Sequence, residues 1–253
     1  MPRNVCDINE LRMDLFENTF DVLKDYAEKR SAAAAIFSAD ANDWPSGAGR
    51  NVVLSDDMAV ELGSPQTAST SVLLWTENPG RVRDGRITLI GPDIGTSADR
   101  SLPFGKVVLV CVSGFNEDNI YERYKEMEAV RYAMDLKGYM MRAASQYQRE
   151  WSRISREALQ NGFSFTVLGG ALRNGYLKKD YIHAVEFLFV TSDIADVNEL
   201  GDITRKVSRT INAMDKMFSE MKSDCDECEY NDVCDEVSDL KKMRNARNKK
   251  RGE

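Results

Sequence analysis

The sequence predicts an α+β (mixed α/β) fold, and three observations carry that expectation. Between residues 51 and 112, short runs rich in Val, Ile and Leu are separated by Gly and Pro, the spacing of strands and turns. Beyond Gly114 the apolar period lengthens to three and four residues, the stripe of a helix. No internal repeat or long low-complexity segment interrupts this order. A β-rich sheet followed by helices, a long C-terminal helix and a cysteine-containing tail is the architecture expected.

In chain order, residues 7–37 read as a helix, with Asp7 as a cap, Leu11, Leu15, Val22 and Tyr26 near helical spacing, and Ala32 to Ala35 as its extension. Asp40 to Arg50, with Trp44, Pro45, Ser46, Gly47 and Gly49, reads as a loop and a boundary. Strands are expected at Asn51–Leu54, Met58–Leu62, Ser69–Thr76, Arg86–Ile90 and Lys106–Val112, the last enclosing Cys111 as a small buried hydrophobe. Ile120, Tyr124, Met127, Val130 and Met134 give one apolar stripe on a helix from Glu117 to Leu136. Gly138 interrupts it, and helical segments are expected to resume through Leu159 until Asn161 and Gly162 stop them. Phe163–Leu168 and His183–Val190 read as strands with a helix between. Ala195–Met221 reads as a long helix, because Val197, Leu200, Ile203, Val207, Ile211, Met214, Phe218 and Met221 keep steps of three or four.

Composition narrows the function classes. At 253 residues the chain can bury a substantial core, and 42% apolar residues with 9% aromatics fit a globular protein. The net charge of -7 argues against general nucleic-acid binding. No run of about 18 apolar residues suggests a membrane span, and the polar N-terminus does not resemble a secretion signal, so a cytoplasmic location is expected. Five cysteines, three of them crowded together, do not form a secreted disulfide framework.

Those three are Cys225, Cys228 and Cys234, in a C-x2-C-x5-C spacing. A pair two residues apart can turn onto one metal centre and a third can close over it, so a metal site is the leading reading. A [4Fe-4S] cluster is favoured, with zinc as the alternative and metal-free thiols as the bland account; either metal group ordinarily needs a fourth ligand from elsewhere. Asp224 to Asp239 carries eight carboxylates and no base, whereas Lys241 to Arg251 carries seven Lys or Arg and no acid. The two blocks can neutralise each other, and the basic one reads as a solvated tail. Carboxylates around the cysteines disfavour thiolates, for which a metal cation compensates.

Arg149, Arg153 and Arg156 are spaced i, i+4, i+7 and are read as one helical face, with Trp151 and Arg142 nearby. Such a face could hold phosphates or an acidic partner; an ordinary solvated face paired with Glu150 and Glu157 is the plainer reading. His183 is the only histidine, and its strand context makes it structural. Gly91-Pro92-Asp93-Ile94-Gly95 lacks the spacing and lysine of a phosphate-binding glycine loop.

Asp57-Met58-Ala59-Val60-Glu61-Leu62-Gly63, then Asp84 through Ile94, Leu102-Pro103-Phe104-Gly105, Gln146, Trp151-Ser152-Arg153-Ile154-Ser155 and Gly162-Phe163-Ser164-Phe165 form a colinear series. The series resembles the central domain of the acetyl-CoA synthase (beta) subunit of the carbon monoxide dehydrogenase/acetyl-CoA synthase complex, over roughly Asn51 to Met221. The resemblance implies an N-terminal helical extension at 1–50, an acetyl-CoA synthase-like domain at 51–222 and a metal-binding motif with a basic tail at 223–253. It also implies anaerobic one-carbon metabolism, a corrinoid iron-sulfur protein or methyltransferase as partner, and coenzyme A as a possible ligand.

In that family a C-x2-C pair and further cysteines hold the [4Fe-4S] part of a nickel-bearing cluster, and Cys225 and Cys228 stand in the matching place. Cys234 stands for the third. The family's longer spacing is not kept, a fourth cysteine is missing, and the Cys-Gly-Cys that carries the outer nickel has no counterpart, so nickel is not expected. Where the family has a tryptophan associated with coenzyme A, this chain has Arg142. Asp180-Tyr181-Ile182-His183 does not match the run by which corrinoid carriers hold cobalamin. The resulting expectation is an iron-sulfur protein that docks a corrinoid or methyl-transfer partner. The alternatives are an acyl or methyl transferase completed by a partner subunit, and a zinc-stapled or metal-free scaffold.

Overall fold

The computed structural model describes residues 14–39, 43–49, 52–96, 100–116, 118–144, 149–219, 228–237 and 240–245. Helix α1 (Asp14–Lys29) is followed by a 3-10 turn at Ser31–Ala33 and strand β1 (Ala34–Ser38). Ala32 to Ala35 therefore do not extend the helix. Alanine's helical propensity is outweighed by an antiparallel ladder from Ala34↔Ile90 to Ser38↔Arg86 against β4 (Arg86–Ile90). The proposed cap Asp7 lies outside the described residues. Residues 52–54 keep the alternation of a strand, with Val53 buried between exposed Val52 and Leu54, but join no ladder.

The remaining strands are β2 (Met58–Leu62), β3 (Ser69–Thr76), β5 (Ser101–Leu102), β6 (Phe104–Val112), β7 (Tyr139–Ala144), β8 (Arg149–Ser155) and β9 (Ile182–Val190). Helices α2 (Ile120–Ala129), α3 (Arg156–Gln160), α4 (Phe165–Tyr176), α5 (Ile194–Ser219) and α6 (Asn231–Glu236) complete the order. A five-stranded mixed sheet runs β1-β4-β9-β6-β3, and a four-stranded sheet runs β5-β2-β8-β7. The fold is α+β, as the sequence predicts.

Register decides which face meets what. Lys106 pairs with Ser71 on β3 and with Phe189 on β9, and Val108 pairs with Phe187, so these side chains share one face of the large sheet. Helix α4 and the small sheet lie on that side. Gly169 of α4 approaches the sheet so closely that a Cβ there would stand 2.5 Å from Ile87 Cδ1. The opposite face takes α5: a Cβ on Gly105 would stand 2.7 Å from Leu200. Helix α1 packs on α5 and β3, with Phe16 edge-on to Trp75 at 4.4 Å. An aromatic row of Phe104, Phe165, Phe187 and Phe189 fills the α4 side, with Phe165 and Phe189 stacked at 4.7 Å. All four are fully buried, and each such side chain contributes about 1.5–3 kcal/mol.

Two helix-or-strand expectations are overturned here. Phe163–Leu168 is not a strand: Ser164 caps α4 by accepting from the Val167 N–H, and Asp93 Oδ1 accepts from the Phe165 N–H at 3.0 Å. The helical stripe of Phe165, Leu168, Leu172 and Tyr176 emerges only over a longer window. After Gly138 the described residues up to Ser155 form an antiparallel hairpin rather than a helix, and only the end of the expected stretch, α3, is helical, stopping at Asn161 as expected. Glu150, Ser152 and Ile154 are each 0% exposed while Trp151 and Arg153 between them are not, a period of two. Gly138 opens the hairpin at φ +76°, where a Cβ would collide with Ser155 Oγ at 2.4 Å. Helix α2 ends at Ala129, short of Leu136, but its stripe of Ile120, Tyr124, Met127 and Val130 is buried as expected.

The two sheets are joined through Glu150. Its carboxylate forms an ion pair with Lys106 Nζ of β6 and accepts from Ser71 Oγ at 3.2 Å. Ser69 Oγ donates to the Glu150 carbonyl at 2.6 Å and accepts from its N–H at 3.1 Å. Lys106 is 2% exposed, and burial pushes its ammonium below the usual lysine range. Gly63, at φ +64°, lets the Glu150 backbone approach, since a Cβ would stand 2.4 Å from that carbonyl oxygen.

Removing one partner of a buried pair strands the other, so Lys106→Met should lower unfolding stability by about 3–5 kcal/mol. The double variant Lys106→Met/Glu150→Met should be more stable than Lys106→Met alone. Urea unfolding midpoints of the two variants and the parent check the order.

Candidate functional site

The hairpin that Glu150 anchors presents its other face outward. Cross-strand register places Arg142 opposite Trp151, and Met140 and Glu61 on either side of Arg153, all on the face opposite Glu150. Two guanidinium groups lie over the Trp151 ring, Arg153 at 4.6 Å and Arg142 at 5.8 Å from its centroid. Contacts of this kind contribute about 0.5–1 kcal/mol each at accessible sites. The indole Nε1 is buried and has no hydrogen-bond partner among the described residues.

Charge on this face is partly spent internally. Arg153 Nε bonds Glu61 Oε1 at 2.9 Å, with side-chain exposures of 21% and 13%, so that guanidinium is built into the sheet. Arg142 is exposed and forms no ion pair among the described residues. Arg156 begins α3, also exposed, its N–H donating to the Asp57 carbonyl at 2.8 Å. Arg149 is placed by its backbone opposite Ala144 on β7; its side chain lies outside the described residues. The expected single helical face of Arg149, Arg153 and Arg156 is thus corrected. Arg149, Trp151 and Arg153 share a strand face by alternation, and Arg156 sits on the next element. Glu150, expected as a surface partner for these arginines, points the other way into the core.

The cysteine motif lies elsewhere, against α5. Cys228 is half-buried, three residues before α6, and Cys234 is 6% exposed within α6. Cys225 lies outside the described residues. Among the described residues no three His, Cys, Asp or Glu side chains converge as a metal-holding group. Among the described residues the acidic block is neutralised mainly by bases of α5 and not, as the sequence reading expects, by the basic block that follows it. Arg209 Nη2 holds Asp232 at 2.8 Å, Lys206 holds Glu236 at 3.0 Å and Lys216 reaches Glu229 at 3.6 Å. The Arg209 hydrogen bond holds the Asp232 carboxyl below the usual carboxylate range. The basic end contributes Arg244, 2.6 Å from Asp235.

Cys111 is 2% exposed, and burial raises its thiol pKa. His183 is exposed and its Nε2 lies 2.7 Å from Ser113 Oγ, with no acid beside it to make a catalytic set among the described hydrogen bonds. The buried pairings of Lys106, Glu150, Glu61 and Arg131 escaped the sequence reading. Lys106 left one visible signal, a lysine inside the run Phe104 to Val112 that is otherwise Gly and apolar residues. Arg131 left none: it is 8% exposed and bonds Glu128 at 2.7 Å.

Residues 47–197 match the family of the CO dehydrogenase/acetyl-CoA synthase complex beta subunit. The chain belongs to this family. The matched span runs from before β2 to the first turn of α5, so it includes the small sheet, the large sheet apart from β1, and the Trp151 face, while Cys225 to Cys234 lies beyond it. Among relatives of this CO dehydrogenase/acetyl-CoA synthase family, the acetyl-CoA decarbonylase/synthase complex subunit beta of Methanopyrus kandleri is 27% identical over 66% of this chain and 35% of its own length. The carbon monoxide dehydrogenase/acetyl-CoA synthase subunit alpha of Moorella thermoacetica is 30% identical over 59% of this chain and 20% of its own length. The chain therefore corresponds to a fifth to a third of those relatives. No helix among the described residues is long and apolar enough to cross a membrane.

If Arg153 is a structural member of the sheet and Arg142 a displayed one, Arg153→Ser should cost about 1–3 kcal/mol by stranding Glu61. Arg142→Ser should fall within about 0.5 kcal/mol of the parent. Equal losses in thermal or urea unfolding would contradict the distinction.

Proposed function

We propose that this chain is an iron-sulfur docking protein of anaerobic one-carbon metabolism, whose Trp151 face receives a corrinoid iron-sulfur protein or methyltransferase. The observation that carries this reading is the family match over residues 47–197, which takes in every strand but β1 and so the small sheet that carries Arg142, Trp151 and Arg153. An indole with guanidinium groups over it is a surface that carboxylates or phosphates of a partner can approach from the exposed Arg142. Coenzyme A offers the same phosphate chemistry. Exposed cations of this kind act mainly on association, so the encounter should weaken as salt rises.

Arg142→Ser should therefore reduce the association rate for a co-purifying corrinoid protein several-fold at low ionic strength and little at high ionic strength. Dissociation should change less. Surface-immobilised partner and anaerobic binding kinetics measure both rates; unchanged association at low salt would remove the Trp151 face from the proposal.

Cys225, Cys228 and Cys234 are the proposed ligands of a [4Fe-4S] cluster. Their thiolates are soft donors, which suits iron-sulfur clusters and also zinc, and the apolar packing at Cys234 keeps water away from one ligand. A bound cluster would supply one-electron chemistry or a cross-link between the tail and the body. The chain's own part is to hold the thiols and to shield them. Protein prepared without oxygen should contain iron and acid-labile sulfide, and Cys228→Ala should lose both while its near-ultraviolet dichroism stays close to the parent. Stoichiometric zinc without sulfide would replace the cluster with a zinc staple.

A further inference from the structure

Residues 228–237 lie back along α5 as a strap, with 240–245 packed into the same core, and the strap is fastened in two ways. Val233, Cys234, Val237, Leu240 and Met243 are all under 7% exposed and belong to the apolar core. Beside that seam, Glu236, Asp232 and Glu229 pair in turn with Lys206, Arg209 and Lys216 of α5, so the strap runs antiparallel to the helix. Lys216 also stands 6.0 Å above the Tyr230 ring at the strap's first turn. These ion pairs are solvent-facing: every one of the six side chains is more than a quarter exposed. Salt screens pairs of that kind, and each is individually weak.

The two described cysteines of the motif are consequently unequal. Cys228 sits at the strap's entrance, half-buried, whereas the Cys234 thiol is inside the seam.

We propose that the strap is a latch: it swings off α5 as a unit while the two sheets stay folded, and the ion-pair row sets how often Cys234 becomes accessible. Local opening of this sort draws on the low-stability end of a structure; the strap's apolar seam is short beside that of the sheets, and the pairs that flank it face solvent. The large sheet, with its continuous buried aromatic row, is at the other end. Loading of a metal at Cys234 would then require the open latch, and reclosure would seal the occupied thiolate; this last step rests on the proposed ligand role, whereas the opening does not.

The test uses the full chain, reduced and chelator-treated, with iodoacetamide as probe and mass spectrometry to follow each cysteine. Cys228 should react fast, Cys234 slowly, and Cys111, inside β6, slowest of all. Raising salt should accelerate Cys234 and leave Cys111 unchanged. Asp232→Lys/Glu236→Lys should accelerate Cys234 by about five- to tenfold, since two weak pairs become repulsions. Cys111 reports global unfolding, so a variant that merely destabilises the fold would accelerate both. The latch is overturned if Cys234 tracks Cys111 under every condition, or if Cys234 reacts as fast as Cys228 in the parent. Neither outcome depends on which metal, if any, the thiols bind.

Discussion

The ion pair between Lys106 and Glu150 is the interaction on which the arrangement depends. A carboxylate with 0% exposure and an ammonium with 2% cannot be left single, so the strand that carries Glu150 has one acceptable register against the large sheet. Ser69 and Ser71 add bonds to the backbone and carboxylate of the same residue, and Gly63 permits their close approach. A shift of β8 by one residue would carry Glu150 to the outer face and Trp151 into the core. The buried pair therefore determines which side chains the hairpin displays.

What is displayed is less basic than a count of arginines suggests. Glu61 neutralises Arg153 and fixes its guanidinium against the indole, leaving Arg142 and Arg156 as the exposed cations among the described residues of this region. The surface is an aromatic ring in a rigid frame with charge at its margin. Pre-organisation of that kind lowers the ordering cost of binding, because Trp151 and Arg153 are already held in place.

Apart from β1, which reads as the end of a helix, the large sheet was legible in the sequence because strands such as Ser69–Thr76, Arg86–Ile90 and Phe104–Val112 are set off by turn residues and are largely buried in runs. Long helix α5 was legible through its sustained period. The hairpin at 139–155 was not, because its arginines happen to fall at i, i+4 and i+7, while Glu150 and Ser152 are polar residues on its buried face and disguise the two-residue alternation. Only the partner Lys106, 44 residues earlier, explains why a carboxylate can be inside. Likewise Phe163–Leu168 is too short a window to reveal a helix capped by Ser164 and by Asp93 from another segment. The cysteine spacing was visible, but not that Cys234 packs into a seam with α5, since that depends on tertiary contact.

Strand β8 serves two faces: Lys106 locks the inner one, and the outer one carries the proposed partner surface. Hydrogen exchange of the chain with and without an anaerobically co-purified corrinoid protein tests it most directly. In the free protein β8 should exchange slowly, and complex formation should add protection confined to peptides covering residues 139–144 and 149–156. Fast exchange of β8 in the free chain, or protection that falls on β1 or α5 and spares the hairpin, would contradict it.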